Sequence, residues 1–221
     1  MNKYEIPIVR DLKFNVHTDE GAQWYDPIKP YTALEYEWVL DNVDLTGKIL
    51  ECGGHHGHYA VVLASKGGLL AVVEPHPDNV QIILDNLELN GQSALVLEGA
   101  VAPYDGDCSF TGETNGRVIP FGRMQVKCKT LKSIMPDASV IKLDIEGGEY
   151  AILPDGIEQM PHAHTWIIEL HPYWGSPHEI VQAFLKYGFI ALKVDRERMK
   201  VIEYDMNDEW RTHATCIFLK K

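Results

Sequence analysis

The sequence predicts a doubly wound α/β fold built on a mostly parallel sheet. From Lys48 onward, short apolar runs alternate with amphipathic segments of helix length, which is typical of parallel strands joined by helices. The last three apolar runs follow one another without a helix-length gap, which indicates an antiparallel edge added to the sheet. The chain has 221 residues, 45% of them hydrophobic, which is enough for one sizeable core.

Eight apolar runs are predicted as strands. They are Lys48–Cys52, Leu69–Glu74, 94–98, 140–145, Thr165–Leu170, 189–194, 200–204 and 215–219. The helices predicted between them cover 57–66, 77–90 and Pro177–Lys186. Gly91 is expected to cap the end of the second helix, and Ser176 with Glu179 to form a capping box at the start of the third. Residues 105–129 show no helical pattern and predict a short hairpin excursion.

The first 47 residues differ in character from the rest of the chain. They are rich in aromatic side chains: Phe14, Trp24, Tyr25, Tyr31, Tyr36 and Trp38. Thr32 and Glu35 predict a capping box before an apolar helix that ends near Val43. We therefore expect residues 1–47 to form a helical, aromatic cover segment and residues 48–221 to form the doubly wound domain.

The charge of the chain bears on its partners. A formal net charge of -12 disfavours general nucleic-acid binding, because phosphates would be repelled. One run without acidic residues carries five basic side chains: Arg117, Arg123, Lys127, Lys129 and Lys132. We interpret this run as a solvated face and not as a binding site for an anionic substrate.

Cysteine usage and hydropathy predict a cytoplasmic protein without a membrane partner. The four cysteines form no CxxC pair, and Cys52 and Cys216 lie in apolar runs. This usage favours a reducing compartment over a disulfide framework. No apolar stretch is long enough to cross a bilayer, and residues 1–10 lack the apolar region of a signal peptide.

A glycine-rich loop follows the first strand of the alternating region, and it predicts a cofactor site. Residues 51–57 read ECGGHHG, and ligands of open α/β sheets bind at the carboxyl ends of the strands. An acid at Glu51 would oppose a pyrophosphate but suits the ammonium group of an amino acid. Glu74 ends the second strand, where a carboxylate can bind both hydroxyls of a ribose. An amine together with a ribose favours S-adenosylmethionine over NAD.

Other interpretations of this loop remain open. A dinucleotide fingerprint would read GxGxxG, and the loop does not contain it. The glycines alone are also compatible with a strand-to-helix turn that binds nothing. His55, His56 and His58 could form a metal tract, although we expect two adjacent histidines at a helix start not to point the same way.

Three motifs resemble those of the FkbM family of S-adenosylmethionine-dependent methyltransferases. Residues 51–59 are similar to its acid-x-Gly-x-x-x-Gly-x-Tyr loop, and residues 74–77 to its Glu-Pro-x-Pro turn. Residues 141–149 contain Lys-x-Asp-x-Glu-Gly-x-Glu, which is specific to the family. The resemblance covers about residues 48–172 and, weakly, the last strand. The chain departs from the family in having Glu51 where Asp is more frequent and His55 where Asn is usual.

The resemblance implies a Rossmann-like class I methyltransferase sheet of seven strands, S-adenosylmethionine as methyl donor, and a hydroxyl oxygen as acceptor. It implies contacts of Glu51, Gly53 and Gly57 with the methionine portion of the cofactor, and of Glu74 with the ribose. The resemblance also implies that Gly99 and Ala100 contact the adenine. Three neighbours in the matching motifs complete the predicted cofactor site: Gly54, His55 and Pro75.

The acceptor chemistry requires a proton acceptor or a metal, because an alcohol must lose its proton as it is methylated. Asp144, Glu146 and Glu149 follow the fourth strand, and Glu169 and His171 end the fifth. Both strand ends open on the cofactor crevice. Asp144 or His171 is the first choice for a base, with Glu146 as a third catalytic candidate. Glu149 could instead stabilise the first turn of the next helix, and His171 could be structural.

A divalent metal is the alternative at these strand ends. Asp144, Glu146, Glu169 and His171 offer oxygen ligands and one imidazole, which could hold Mg²⁺ or Mn²⁺.

The sequence thus favours a transferase that methylates a hydroxyl oxygen of a small molecule or sugar. An NAD-dependent oxidoreductase is a second hypothesis, against which the missing GxGxxG counts. A non-catalytic nucleoside-binding module is a third, for which the acids after the fourth strand would be unneeded.

Overall fold

The computed structural model describes residues 3–221, and an eight-stranded sheet lies at its centre. Met1 and Asn2, where the range predicted to lack a signal region begins, lie outside the described residues. The strands are β1 (Tyr4–Pro7), β2 (Lys13–Val16), β3 (Lys48–Cys52), β4 (Leu69–Glu74), β5 (Leu95–Glu98), β6 (Ala100–Val101), β7 (Gly106–Phe110), β8 (Met124–Lys129), β9 (Val140–Leu143), β10 (Thr165–Leu170), β11 (Phe189–Asp195), β12 (Lys200–Glu203) and β13 (Ala214–Lys220). The helices are α1 (Asp19–Tyr25), α2 (Pro30–Asn42), α3 (His58–Ala64), α4 (Pro77–Leu89), α5 (Leu131–Ile134), α6 (Glu149–Ile152), α7 (Asp155–Gln159) and α8 (Pro177–Lys186).

Five parallel strands form the half of the sheet that carries the predicted motifs. Their order is β5-β4-β3-β9-β10, so the direction of winding reverses between β3 and β9. Such a switch point opens a crevice at the carboxyl ends of the two strands, where ligands of doubly wound folds bind. The register places Glu51 of β3 directly beside Lys142 of β9. The doubly wound, mostly parallel fold is confirmed.

The other edge of the sheet is antiparallel. β13 pairs with β10 on one side and β11 on the other, and β12 lies beyond β11. The antiparallel C-terminal strand is therefore confirmed. The number of strands is not, because the sheet has eight where the family resemblance implied seven. The physical reason is that β11 turns back through residues 196–199 into β12, which adds one hairpin strand to the edge.

Two hydrophobic layers sandwich the sheet. On β3, Ile49 packs in the layer that contains the N-terminal segment. Its neighbour Leu50 packs in the opposite layer, which contains Trp166 of β10 and Phe184 of α8. Each of these four side chains is 0% exposed. Because the parallel strands are buried on both faces, they read as continuous apolar runs rather than as alternating ones.

Two predicted capping boxes are wrong. Thr32 and Glu35 do not cap α2; Glu35 is buried, and its carboxylate accepts a hydrogen bond of 2.7 Å from the hydroxyl of Thr215. A tertiary partner on β13 thus replaces the local one. Ser176 lies at the N-cap of α8 as predicted, but its side chain makes no cap hydrogen bond, so the box with Glu179 does not form.

Other local predictions are confirmed. Residues 105–129 contain the β7-β8 hairpin, which β6 extends to a three-stranded sheet. Gly91 follows α4 with a φ of 64°, and its N–H donates to the carbonyl of Glu88, which forms a left-handed cap. All four cysteines are buried and free.

The N-terminal segment packs against the parallel half of the sheet. β1 and β2 form a hairpin, and Phe14, Val16 and Tyr36 are fully buried in the same layer as Ile49. The backbone N–H of Asn15 donates to the side chain of Asn86 on α4 at 2.6 Å. Over residues 3–221, none of the helices has both the length and the apolar character that crossing a membrane requires.

Candidate functional site

A cavity of about 390 Å³ lies at the carboxyl ends of the parallel strands, beneath α1 and α2. Six predicted cofactor residues line it: Gly53, His55, Glu74, Pro75, Gly99 and Ala100. The three predicted catalytic residues line it too: Asp144, Glu146 and His171. Glu51, Gly54 and Gly57 are not part of its lining. The structure thus brings the two predicted halves of the site into one space.

The glycines of the loop after β3 are required by the fold itself. Gly53 has a φ of 84°, and a Cβ atom there would lie 1.8 Å from the carbonyl oxygen of Asp144. At Gly54 a Cβ would lie 2.5 Å from Val72, and at Gly57 it would lie 3.0 Å from the backbone of Ile83. The glycines therefore permit close contact between chain segments. A bulky substitution at Gly53 would disturb the fold and is not a clean probe of the cofactor.

Glu51 lies beneath this loop and not in the cavity. Its side chain is 0% exposed, and its Oε1 is 3.9 Å from the Nζ of Lys142. Burial raises the pKa of Glu51 to about 8, against the opposing effect of the Lys142 charge. The cation next to Glu51 is thus Lys142 of the protein, and not the ammonium group of the cofactor that the sequence analysis expects there.

Glu74 stands at the end of β4 with its carboxylate held in place. Its Oε2 accepts the backbone N–H of His55 at 2.8 Å, and its Oε1 accepts the backbone N–H of His76 at 2.9 Å and the amide of Asn79 at 3.1 Å. Burial raises the pKa of Glu74 to about 7, although these three donors act in the opposite direction. The carboxylate has acceptor capacity left for a ligand hydroxyl on its cavity side.

Buried Lys142 and partly exposed Asp144 form an ion pair at the end of β9. The Nζ of Lys142 is 3.2 Å from the Oδ2 of Asp144. Burial would lower the pKa of Lys142, but the carboxylates of Asp144 and Glu51 outweigh it and raise that pKa. Burial would likewise raise the pKa of Asp144, but the charges of Lys142 and His171 lower it. Asp144 is therefore an anion at neutral pH and a weak proton acceptor.

His171 lies between two glutamates. Its Nε2 is 3.5 Å from Glu146 and its Nδ1 is 3.5 Å from Glu149. Burial would lower the pKa of His171, but the neighbouring carboxylates of Glu149, Asp144 and Glu146 raise it to about 9. At neutral pH the imidazole is protonated, so it cannot accept the proton of an alcohol. Its predicted role as the base meets this physical obstacle.

Glu146 is the more accessible acid of this cluster, with a side chain that is 32% exposed. Burial and the charge of Asp144 raise the pKa of Glu146. Its backbone has a φ of 54°, in a region that few non-glycine residues adopt and that is enriched at functional sites. Glu149 supports this turn, because its carboxylate accepts the N–H groups of Ile145 at 2.7 Å and Gly147 at 2.8 Å.

The acid cluster was also predicted as a metal site. Two of the four predicted ligands, Asp144 and His171, have ligand atoms within 4.8 Å of one another and of Glu149, which was not predicted as a ligand. Both oxygens of Glu149 already accept backbone N–H groups, however, and Asp144 faces the ammonium of Lys142. Of the other two, Glu146 lies 3.5 Å from Nε2 of His171, and Glu169 pairs with Arg196 at 3.0 Å. These donors are thus satisfied by protein partners, which is a poor fit to Mg²⁺ or Mn²⁺.

Aromatic residues of the N-terminal segment also line the cavity, and sequence reasoning did not foresee their contacts. Tyr25 hydrogen-bonds to Nδ1 of His55, and Tyr36 to Nδ1 of His58. Burial lowers the pKa of His55 to about 3 and that of His56 to about 4, so both are neutral. The rings of His55 and His56 are parallel, with centroids 4.1 Å apart, so the expectation that they point apart is wrong.

Arg117 is a further cavity residue that the sequence did not single out for this role. Its guanidinium stacks on Trp174, 3.4 Å from the ring centroid, at the rim of the cavity. The other four basic residues of its run are exposed, as predicted: Arg123, Lys127, Lys129 and Lys132. The interpretation of that run as a solvated face therefore fails at Arg117 alone.

Comparison with known proteins identifies the family. The family described as "Methyltransferase FkbM domain" matches residues 51–191, which is more than half of the chain. The chain belongs to this family. That membership confirms the family that the three sequence motifs resemble. Among curated proteins, it is 23% identical over 143 residues to the hexuronic acid methyltransferase AglP of Haloferax volcanii. The match spans 60% of this chain and 59% of the relative.

Solved structures agree on the fold of this FkbM-family chain. An S-adenosylmethionine-dependent methyltransferase from Agrobacterium tumefaciens superposes with a TM-score of 0.61 at 11% identity, over 99% of this chain and 70% of that one. A magnesium protoporphyrin IX methyltransferase from Synechocystis, with bound S-adenosylmethionine, gives a TM-score of 0.53 at 12% identity, over 86% and 79%. These similarities confirm the class I methyltransferase fold.

Proposed function

We propose that this protein transfers the methyl group of S-adenosylmethionine to a hydroxyl oxygen of a small molecule or sugar. One observation carries the proposal. The cavity is lined both by the cofactor motifs of the family, at Gly53 and Glu74, and by ionised and titratable side chains at Asp144, Glu146 and His171. Donor and acceptor can therefore meet in one enclosed space, and alignment is the main requirement of methyl transfer.

The proposed cofactor position follows from the strand ends. Glu74 accepts the ribose hydroxyls, and Gly99 and Ala100 flank the adenine. Because Glu51 is 0% exposed and does not line the cavity, we assign the cationic end of the cofactor to Asp144, which lines the cavity and whose anionic side chain is 24% exposed. The backbone beside Gly53, which approaches Asp144 closely, then lies along the methionine portion.

The proposed base is Glu146. Among the predicted catalytic residues, Asp144 has a lowered pKa and His171 is protonated, whereas Glu146 has a raised pKa and faces the cavity. A general base works best when its pKa approaches the operating pH. His171, 3.5 Å from Glu146, acts as a cationic positioning partner that orients the carboxylate. We propose that no Mg²⁺ or Mn²⁺ takes part, because the donors of the cluster are already paired within the protein.

The N-terminal residues 1–47 contribute the cover of the site in this proposal. Tyr25 and Tyr36 line the cavity, and their hydroxyls bind histidines of the cofactor loop. A sugar acceptor is supported by the name of the Haloferax relative, a hexuronic acid methyltransferase. Arg117 at the cavity rim would suit the carboxylate of such an acidic sugar.

The product of the reaction distinguishes a hydroxyl from a carboxyl acceptor. The protein is incubated with S-adenosylmethionine that carries a radiolabelled methyl group and with glucuronic acid, galacturonic acid and their neutral counterparts. Methylation of a hydroxyl gives an ether that survives mild alkali, and we expect this product. Release of the label as methanol would identify a carboxyl ester and overturn the proposed acceptor atom. Addition of Mg²⁺ or Mn²⁺ after dialysis should leave the rate unchanged.

A further inference from the structure

A second group of potential metal ligands lies away from Asp144, Glu149 and His171, where α1 contacts the loop of residues 51–57. One ligand atom from each of Glu20, His55 and His56 lies within 4.8 Å of the others. Glu20 belongs to the first turn of α1, and the histidines directly precede α3. Methyl transfer, as proposed above, uses neither Glu20 nor His56, and of His55 it uses only the backbone N–H that holds Glu74.

The imidazole nitrogens of this group lack partners. His56 is 0% exposed, and neither its Nδ1 nor its Nε2 has a hydrogen-bond partner within residues 3–221. The Nε2 of His55 is also buried without a partner in this part of the chain. Buried polar atoms are nearly always hydrogen-bonded, because an unpaired one costs free energy. Three orphaned nitrogens in adjacent rings therefore indicate a missing ligand.

Neighbouring hydroxyl groups hold two of these three side chains next to one another. The rings of His55 and His56 lie side by side, parallel within 5° and with centroids 4.1 Å apart, so a rotation of the side chains would bring one nitrogen of each ring onto a shared ion. Nδ1 of His55 is bound to the hydroxyl of Tyr25, which leaves Nε2 as the free ligand atom. The carboxylate of Glu20 is likewise held by the hydroxyl of Thr114. Metal-binding side chains are typically fixed by such outer hydrogen bonds.

We propose that Glu20, His55 and His56 bind one divalent transition-metal ion, with zinc as the best match. Two imidazoles and one carboxylate form a common zinc ligand set that leaves a fourth position open. Imidazole binds metals in its neutral form, which predominates above the ordinary histidine pKa of about 6.5. The ion would tie α1 to the loop that holds Glu74. This site is independent of the methyl-transfer proposal.

Zinc binding to the full chain tests the site directly. The protein is stripped with a chelator, dialysed, and titrated with zinc chloride in a calorimeter, and its metal content is measured by mass spectrometry. We expect one zinc ion per chain. The melting temperature should rise by about 5–10 °C when free zinc is a hundredfold above its Kd.

Variants locate the ion. Glu20→Gln removes the charged ligand but retains an acceptor for Thr114, and His56→Gln replaces one imidazole ligand. Each variant should weaken zinc binding at least about a hundredfold. This loss exceeds the loss of metal affinity that removal of an outer hydrogen-bond partner causes. The exposed His162→Gln is the matched control and should bind zinc normally. Asp144→Asn should also bind it normally. The proposal is overturned if the protein binds no zinc. It is also overturned if zinc binding survives both ligand variants and is lost in Asp144→Asn. Both conclusions hold whether or not methyl transfer occurs.

Discussion

Replacing Glu146 with glutamine is expected to lower turnover about 10²–10⁴-fold, the range that a general base contributes. Glutamine has nearly the same shape but cannot accept the proton of the acceptor hydroxyl. The Kd for S-adenosylhomocysteine should change little, because the proposed cofactor contacts lie at Glu74 and Asp144. The matched control is Glu179→Gln, an exposed acid at the start of α8, which should retain full turnover.

The pH profile gives the same prediction an independent readout. Glu146 must be deprotonated, and its pKa is raised, so the increase of kcat/KM with pH should lie at higher pH than for an unperturbed glutamate. His171 must stay protonated, and its pKa is raised to about 9, so kcat/KM should fall as pH passes that value. Glu146→Gln should abolish the acid limb and keep the alkaline one. An unchanged acid limb in this variant would show that another group is the base.

Replacing Glu74 with alanine is expected to weaken S-adenosylhomocysteine binding by at least about a hundredfold. Two charge-assisted hydrogen bonds to the ribose, each worth about 1.5–3 kcal/mol, would be lost. The variant also releases the N–H of His55, which Glu74 holds at 2.8 Å, so the cofactor loop loses an anchor. Isothermal titration calorimetry measures the affinity, and circular dichroism confirms that the variant is folded.

Glu98→Ala is the matched control for this experiment. Glu98 lies beside Glu74 in the register of β4 and β5, but it is exposed and does not line the cavity. Its removal should leave the Kd unchanged. A folded Glu74→Ala protein that binds S-adenosylhomocysteine as tightly as the native protein would show that the ribose is held elsewhere.

The fold was predictable where the deciding signals are local. β3, β4, β10 and α8 have the predicted boundaries to the residue, because apolar runs and turn residues define them. The exceptions involve long-range contacts. Glu35 matches a capping box in the sequence, but its carboxylate binds Thr215, which is 180 residues away. No local pattern contains that partner.

The same distinction between local signals and long-range contacts applies to the candidate site. Asp144, Glu146 and His171 were predictable because each follows the end of a parallel strand, and such ends share one crevice. Their charges were not, since they depend on tertiary neighbours: Lys142 beside Asp144, and Glu149 beside His171. Those neighbours convert His171 from the expected base into a cation.

The central claim is that the cavity binds S-adenosylmethionine and not a dinucleotide. Calorimetric titration of the native protein, with S-adenosylhomocysteine and NADH in parallel, tests it most directly. The account predicts that one S-adenosylhomocysteine molecule binds per chain and that NADH does not bind, because the loop at residues 51–57 lacks the GxGxxG pattern and Glu51 lies beneath it. Tight binding of NADH without binding of S-adenosylhomocysteine would contradict it.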